Sequence, residues 1–409
     1  MPDVRPLSEA PYLNLFDPEF QADPEPYVAA LRKESAVLRT PIGASVIDRA
    51  KVHELLRDRS LHSSLVHLLR LQGVNEGPLY ELAASSLLGL EGNDHTRIRR
   101  LVSRSFTPRA ADGHRDFMRQ LVRDLTANFS PRGECEFMDD FADHYPVQVI
   151  AHLMGVPRED HGLFARWGDA LTHLLSLELF QHRAEVEAAQ ADMSSYLTAL
   201  VADRRKNPRE DLVTELIAAR DGSDRLNDYE LLSLLGGLLF AGYDTTRNQL
   251  AVAMTIYSEH PDQWQALAGD PSLAPKAVDE IMRFAGVVSV VPRVTTEDVQ
   301  VDGWLIPAGT LVSLSLVAAN HDPGAYDRPD DFDPSAEREP HVSFGGGPHH
   351  CLGANLARAE MQEALPLLAA AMPDMKVAEP PEWRSPLGGI AGPLRLNLKF
   401  TPTMAAPTS

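Results

Sequence analysis

The sequence predicts a mainly α-helical fold with small β-sheets at its margins, and three observations carry that reading. From Ala50 to about Glu259, apolar residues recur at three- and four-residue spacing, interrupted at Gly92, Pro108, Pro131, Pro157 and Pro208. β-Branched runs with turn residues cluster near 36–48, 299–316 and 394–400. No internal repeat or low-complexity linker divides the chain, so one domain over 1–409 is expected rather than two separable ones.

Taken in order, a proline-rich acidic arm precedes a helix predicted over Pro26 to Glu34. Ala36 to Asp48 then reads as a hairpin turning at Pro41-Ile42-Gly43. The helical middle ends in its greasiest segment, Leu226 to Glu259, read as one long buried helix. Between Val299 and Leu316 the turns Asp302-Gly303 and Pro307-Ala308-Gly309 separate β-forming runs, and Leu394 to Phe400 alternates as a strand does.

Composition narrows the function classes. With 409 residues, 44% apolar and 23% charged, the chain can bury a large core and is not a disordered tract. A formal charge of −20 argues against nucleic acid and anionic membranes as partners. The run Leu231 to Tyr243 is shorter than the roughly 20 apolar residues a bilayer requires, and Met1 to Phe20 has no export-signal pattern. Only Cys135 and Cys351 occur, too few for a disulfide framework, which suits a cytoplasmic protein, although a single bridge between them stays open.

The most informative stretch is Phe344-Gly345-Gly346-Gly347-Pro348-His349-His350-Cys351-Leu352-Gly353, leading into a helical segment over Ala354 to Met372. A glycine-rich loop thus delivers Cys351 to a helix N-terminus, where unpaired N–H groups favour a thiolate, the form that can ligate haem iron. The bland alternative is a structural cysteine beside a loop. A zinc site from His341, His349, His350 and Cys351 is disfavoured, because three consecutive residues rarely converge on one tetrahedral ion. In the long helix, Ala241-Gly242-Tyr243-Asp244-Thr245-Thr246 places an acid and hydroxyls where burial is expensive. That motif reads either as back-bonded hydroxyls with a salt-bridged Asp244, or as a turn opened at Gly242 to serve chemistry.

These segments resemble the cytochrome P-450 superfamily, in its bacterial branch. The cysteine loop matches F-G-x-G-x-x-x-C-x-G at every fixed position, and the long helix matches A-G-x-[DE]-T-[TS]. The resemblance implies a b-type haem lying between the long helix and the cysteine helix, with Cys351 as metal ligand. It implies that Thr245 and Asp244 support dioxygen activation by hydrogen bonding and proton gating. His95, Arg99, Arg293 and His349 would bind the propionates, with Ala241, Gly242, Phe344, Gly345 and Gly353 beside the ring. Glu280 and Arg283 resemble a bracing E-x-x-R element. Whether Arg338 joins Glu280 is left open, because the segment Pro329 to Pro340 is short for the family.

The resemblance also implies a monooxygenase acting on a hydrophobic organic substrate with O2, as a monomer fed by a ferredoxin and its reductase. No dinucleotide fingerprint or cysteine cluster supplies electrons from within the sequence. Arg97, Arg100 and Arg104 are candidates for the docking patch, the alternative being a solvated helix face. By family position the pocket draws on Leu61 to Leu88, Leu171 to Phe180, Leu238, Leu239 and Val287 to Val291. A peroxide-driven oxidase or decarboxylase and a non-catalytic ligand sensor are the competing readings.

Overall fold

The computed structural model describes residues 4–221, 224–385 and 389–403. The strands that matter here are β1 (Val37–Thr40), β2 (Gly43–Val46), β3 (Leu61–Ser63), β4 (Glu134–Glu136), β5 (Val290–Thr295), β6 (Val299–Val301), β7 (Trp304–Ile306), β8 (Leu311–Ser315), β9 (Pro393–Arg395) and β10 (Asn397–Lys399). The helices that build the site are α1 (Gly92–Val102), α2 (Arg115–Thr126), α3 (Tyr145–Leu153), α4 (His161–Leu171), α5 (Leu179–Lys206), α6 (Asp228–Glu259), α7 (Ala274–Phe284) and α8 (Ala354–Ala371).

The main sheet runs β1-β2-β8-β5-β3, with β2 and β8 parallel and the other neighbours antiparallel. The expected hairpins form. β1 turns into β2 at Pro41-Ile42, and the two-residue turn between β6 and β7 places Asp302 and Gly303 at φ 49° and 79°, as a primed turn requires. The predicted strand over 394–400 is divided into β9, which starts one residue earlier, and β10, which pairs with β4. The strands β3 and β4, three residues each, lie inside the stretch read as helical. Their partners are supplied by β5 and β10, far along the chain, so nothing local marks them.

The long helix α6 begins two residues after the predicted start, at a capping box in which Asn227 and Glu230 exchange hydrogen bonds. It runs through the largest apolar cluster and packs on α3, α4, α5 and α8. Among the described residues no helix is long and apolar enough to cross a membrane. Both cysteines are free.

Candidate active site

The cysteine loop is shaped by backbone. Gly345 and Gly347 have φ of 68° and 64°, and a Cβ at Gly347 would stand 2.4 Å from the Leu56 carbonyl oxygen. The Cys351 N–H donates to Phe344 O at 2.8 Å, closing the loop just before α8. Burial pushes the Cys351 thiol up, while a backbone N–H at Gly353 and the guanidinium groups of Arg99 and Arg358 pull it down. The helix-end effect expected from sequence is therefore present but outweighed by desolvation, the reverse of a thiolate favoured outright. Yet the Cys351 side chain is exposed.

A cluster of positive and neutral bases borders this loop. The His95 and His349 rings lie 4.2 Å apart, and His95 Nε2 is buried without a hydrogen-bond partner. Burial, reinforced by His349 and Arg99, pushes the His95 imidazole down to about 4. Arg293, on β5, is 8% exposed, donates to the Pro292 carbonyl at 3.1 Å, and is pushed down by burial with Glu91 opposing. Arg99 donates to the His350 carbonyl, and His350 is exposed. Glu91 is an unforeseen member: its carboxylate accepts from the Ser63 N–H and lies 3.1 Å from His349 Nε2.

On α6, the turns before and through the acid–alcohol motif carry a stripe of accessible surface at Gly237, Leu238, Ala241, Gly242 and Thr245, at helical spacing on a helix otherwise built into the core. The helix is unbroken here, so the turn expected to open at Gly242 does not. A Cβ at Gly242 would instead meet Ile150 of α3 at 3.4 Å, which makes this glycine a packing contact. Thr245 Oγ1 donates to the Ala241 carbonyl at 2.9 Å, the back-bonded arrangement. Asp244 is fully buried. Its Oδ2 accepts from Arg384 at 2.8 Å, its Oδ1 accepts from Asn248 Nδ2 at 2.9 Å, and Arg247 Nη1 lies 3.7 Å away. Arg247 is itself paired with Asp143. Arg384, from the loop before β9, and Asp143, from before α3, were illegible because each is brought in from a distant part of the chain.

An apolar cavity of about 40 Å³ lies beside the N-terminal half of this stripe, lined by Leu65, Ala83, Leu171, Leu174, Gly237 and Phe240 among others. It falls within the predicted pocket regions around 61–88 and 171–180, while Leu238 and Leu239 are not among its lining. Behind the cysteine loop, Arg283 grips Glu280 through two bonds of 2.8 Å and donates to the carbonyls of Asn320, Pro329 and Asp331. Arg338 Nε reaches within 3.4 Å of Glu280, which settles the open pairing. One further expectation is corrected. Arg97 is not available for docking, since it pairs with Glu230 at the start of α6. Among the described residues, His341, His349, His350 and Cys351 do not draw together as a metal site.

The comparisons agree with this architecture. The Cytochrome P450 family model matches residues 272–369. Luteothin monooxygenase of Streptomyces thioluteus is 38% identical over 397 residues, covering 96% of this chain and 97% of that protein. Mycinamicin IV hydroxylase/epoxidase of Micromonospora griseorubida is 38% identical over 303 residues, covering 73% of this chain and 75% of that protein. The crystal structure of CalO2 superposes with a TM-score of 0.89 at 28% identity, covering 96% of this chain and 99% of that one. The family implies a haem cofactor, and the residues fit one: an exposed Cys351, an orphaned buried His95 nitrogen, and a buried Arg293 with only a backbone acceptor suit a flat group carrying carboxylates. The chain belongs to the cytochrome P450 family and is an oxidoreductase of the monooxygenase kind.

Proposed function

We propose that the protein uses a b-type haem ligated by Cys351 to insert one atom of O2 into a hydrophobic organic substrate, by hydroxylation or epoxidation, with electrons from a ferredoxin and its reductase. The carrying observation is the pairing of an exposed Cys351 with an accessible stripe through Ala241 and Thr245 on a core helix. Haem supplies dioxygen binding and the oxidising chemistry. The chain's residues do the rest: the Gly353 N–H, Arg99 and Arg358 offset charge on the sulfur. His95, Arg99, Arg293 and His349 would receive the propionates, and Phe344, Gly345, Gly353, Ala241 and Gly242 border the ring.

Thr245 Oγ1, once turned from the Ala241 carbonyl, donates its proton on the accessible side of α6, and Asp244, on releasing Arg384, takes a proton from water and passes it on to Thr245. This intact acid–alcohol pair favours the oxygen-dependent route over a peroxide-driven one, and a mere sensor has no use for it. Apolar cavity walls favour an apolar substrate and exclude water. The cysteine-poor, acidic composition supports a cytoplasmic protein, and we take the 409 residues to act as one monomeric catalytic domain.

The reduced protein's carbon monoxide difference spectrum tests the ligand. A strongly red-shifted Soret band that disappears in Cys351→His is expected, and a globin-like band in the wild type overturns the assignment. For the donor, Arg100 and Arg104 are exposed on α1 and the turn after it. Replacing both with Gln should slow electron transfer and flatten its ionic-strength dependence; unchanged rates and salt response exclude this docking face.

A further inference from the structure

The corner between α4 and α5 gathers three side chains that the site above does not use. His173 stands in the short turn Thr172–Leu175, and His182 and Glu185 lie three apart near the start of α5. The two imidazoles face each other with ring centroids 3.6 Å apart and planes within 4°. His182 Nδ1 is 3.6 Å from Glu185 Oε2, and one ligand atom from each residue lies within 4.8 Å of the others. No other three His, Cys, Asp or Glu side chains among the described residues are drawn together in this way.

The chemistry of this set is specific. Neither ring is engaged in a hydrogen bond with another described residue. Two imidazoles and a carboxylate are the donors preferred by zinc and its late first-row neighbours, with a fourth position left to water. Zinc–nitrogen bonds of about 2.0–2.1 Å in a tetrahedron set two nitrogens about 3.3 Å apart, and the ligand atoms here already lie within 4.8 Å of one another. Turning the half-buried rings out of parallel aims both lone pairs at one point.

The same corner covers the apolar cavity: Leu171 and Leu174, on either side of His173, line it. Its further ties are few. Gln72 Nε2 donates to the Ser176 carbonyl at 3.0 Å, and Ser385 Oγ donates to Glu178 at 3.2 Å. We propose that His173, His182 and Glu185 form a divalent metal site of the zinc class that staples the α4–α5 corner over the cavity.

The test uses tag-free, haem-loaded protein dialysed against zinc, with retained metal counted per chain. One equivalent is expected in the wild type, and affinity at least about tenfold weaker in His173→Ala/His182→Ala; equal retention in the two proteins overturns the site. Should the double variant fail to fold, Glu185→Gln at an exposed position decides, and undiminished affinity there counts against the site. Amide hydrogen exchange over residues 172–182 reads the staple itself. Zinc should slow exchange in the wild type and not in the variants, and exchange indifferent to bound zinc removes the staple.

Discussion

Two buried carboxylate–guanidinium pairs in this molecule are built on opposite plans. Glu280 and Arg283 come from one helix, meet through two bonds, and have further hydrogen-bonding capacity taken up by the Asn320, Pro329 and Asp331 carbonyls and the Asp333 N–H, with the Arg338 charge 3.4 Å from Glu280. Asp244 and Arg384 come from distant segments and share one bond, with Arg247 standing off at 3.7 Å and committed to Asp143. A saturated pair has no cheap alternative state and serves as a brace. A fully buried acid held to its guanidinium by one bond, beside an accessible hydroxyl, has a partner it can exchange, which is what proton delivery needs.

That contrast can be broken most forcefully at the brace. Arg283→Ala leaves Glu280 buried and unpaired, and is expected to cost about 3–5 kcal/mol of stability, read by urea denaturation, together with loss of haem uptake. A fully stable, haem-loaded variant would place the two pairs in one class. Asp244→Asn should keep the fold, because the amide preserves shape and Asn248 remains beside it, while product formation falls by about 10²-fold or more. Arg384→Gln should lower the rate less than Asp244→Asn and change its pH profile, since the acid is retained without its counter-charge. Equal rates in Asp244→Asn and wild type would make the second pair a brace as well.

The smallest effect sharpens the boundary of the propionate cluster. In this structure His95 is held at about 4, below its unfolded value. The unfolded chain therefore binds more protons between about pH 6.5 and 4, so haem-free protein keeps this contribution above pH 6.5 and loses it as pH falls toward 4. The loss is at most roughly 3 kcal/mol. Denaturation across that window should be flatter in His95→Gln, and flatter in haem-loaded protein if propionates supply the missing anion. Identical pH dependence in all three removes His95 from the cluster.

Legibility followed the range of the interaction. The cysteine loop could be read because its meaning is carried by adjacent residues: glycines that permit φ of 68° and 64°, then a helix start. The long helix was readable for the same reason, though its cap at Asn227 was not picked out. The short strands β3 and β4 were not, because three residues carry no period of their own and their ladders are completed from β5 and β10. Arg97 illustrates the opposite error. Its sequence neighbours are basic and suggest a surface patch, but its actual partner, Glu230, is more than a hundred residues away.

The sequence by itself determined the helical class, the main hairpins, the position of the sulfur and the acid–alcohol motif, since all rest on local spacing and backbone freedom. Only the tertiary structure decided which arginine holds Asp244, that α6 stays unbroken at Gly242, that Arg338 reaches Glu280, and that His173 meets His182 across a corner. Each of these depends on packing that brings remote segments to within a few ångströms, and the desolvation that gives such contacts their strength exists only once the core has closed.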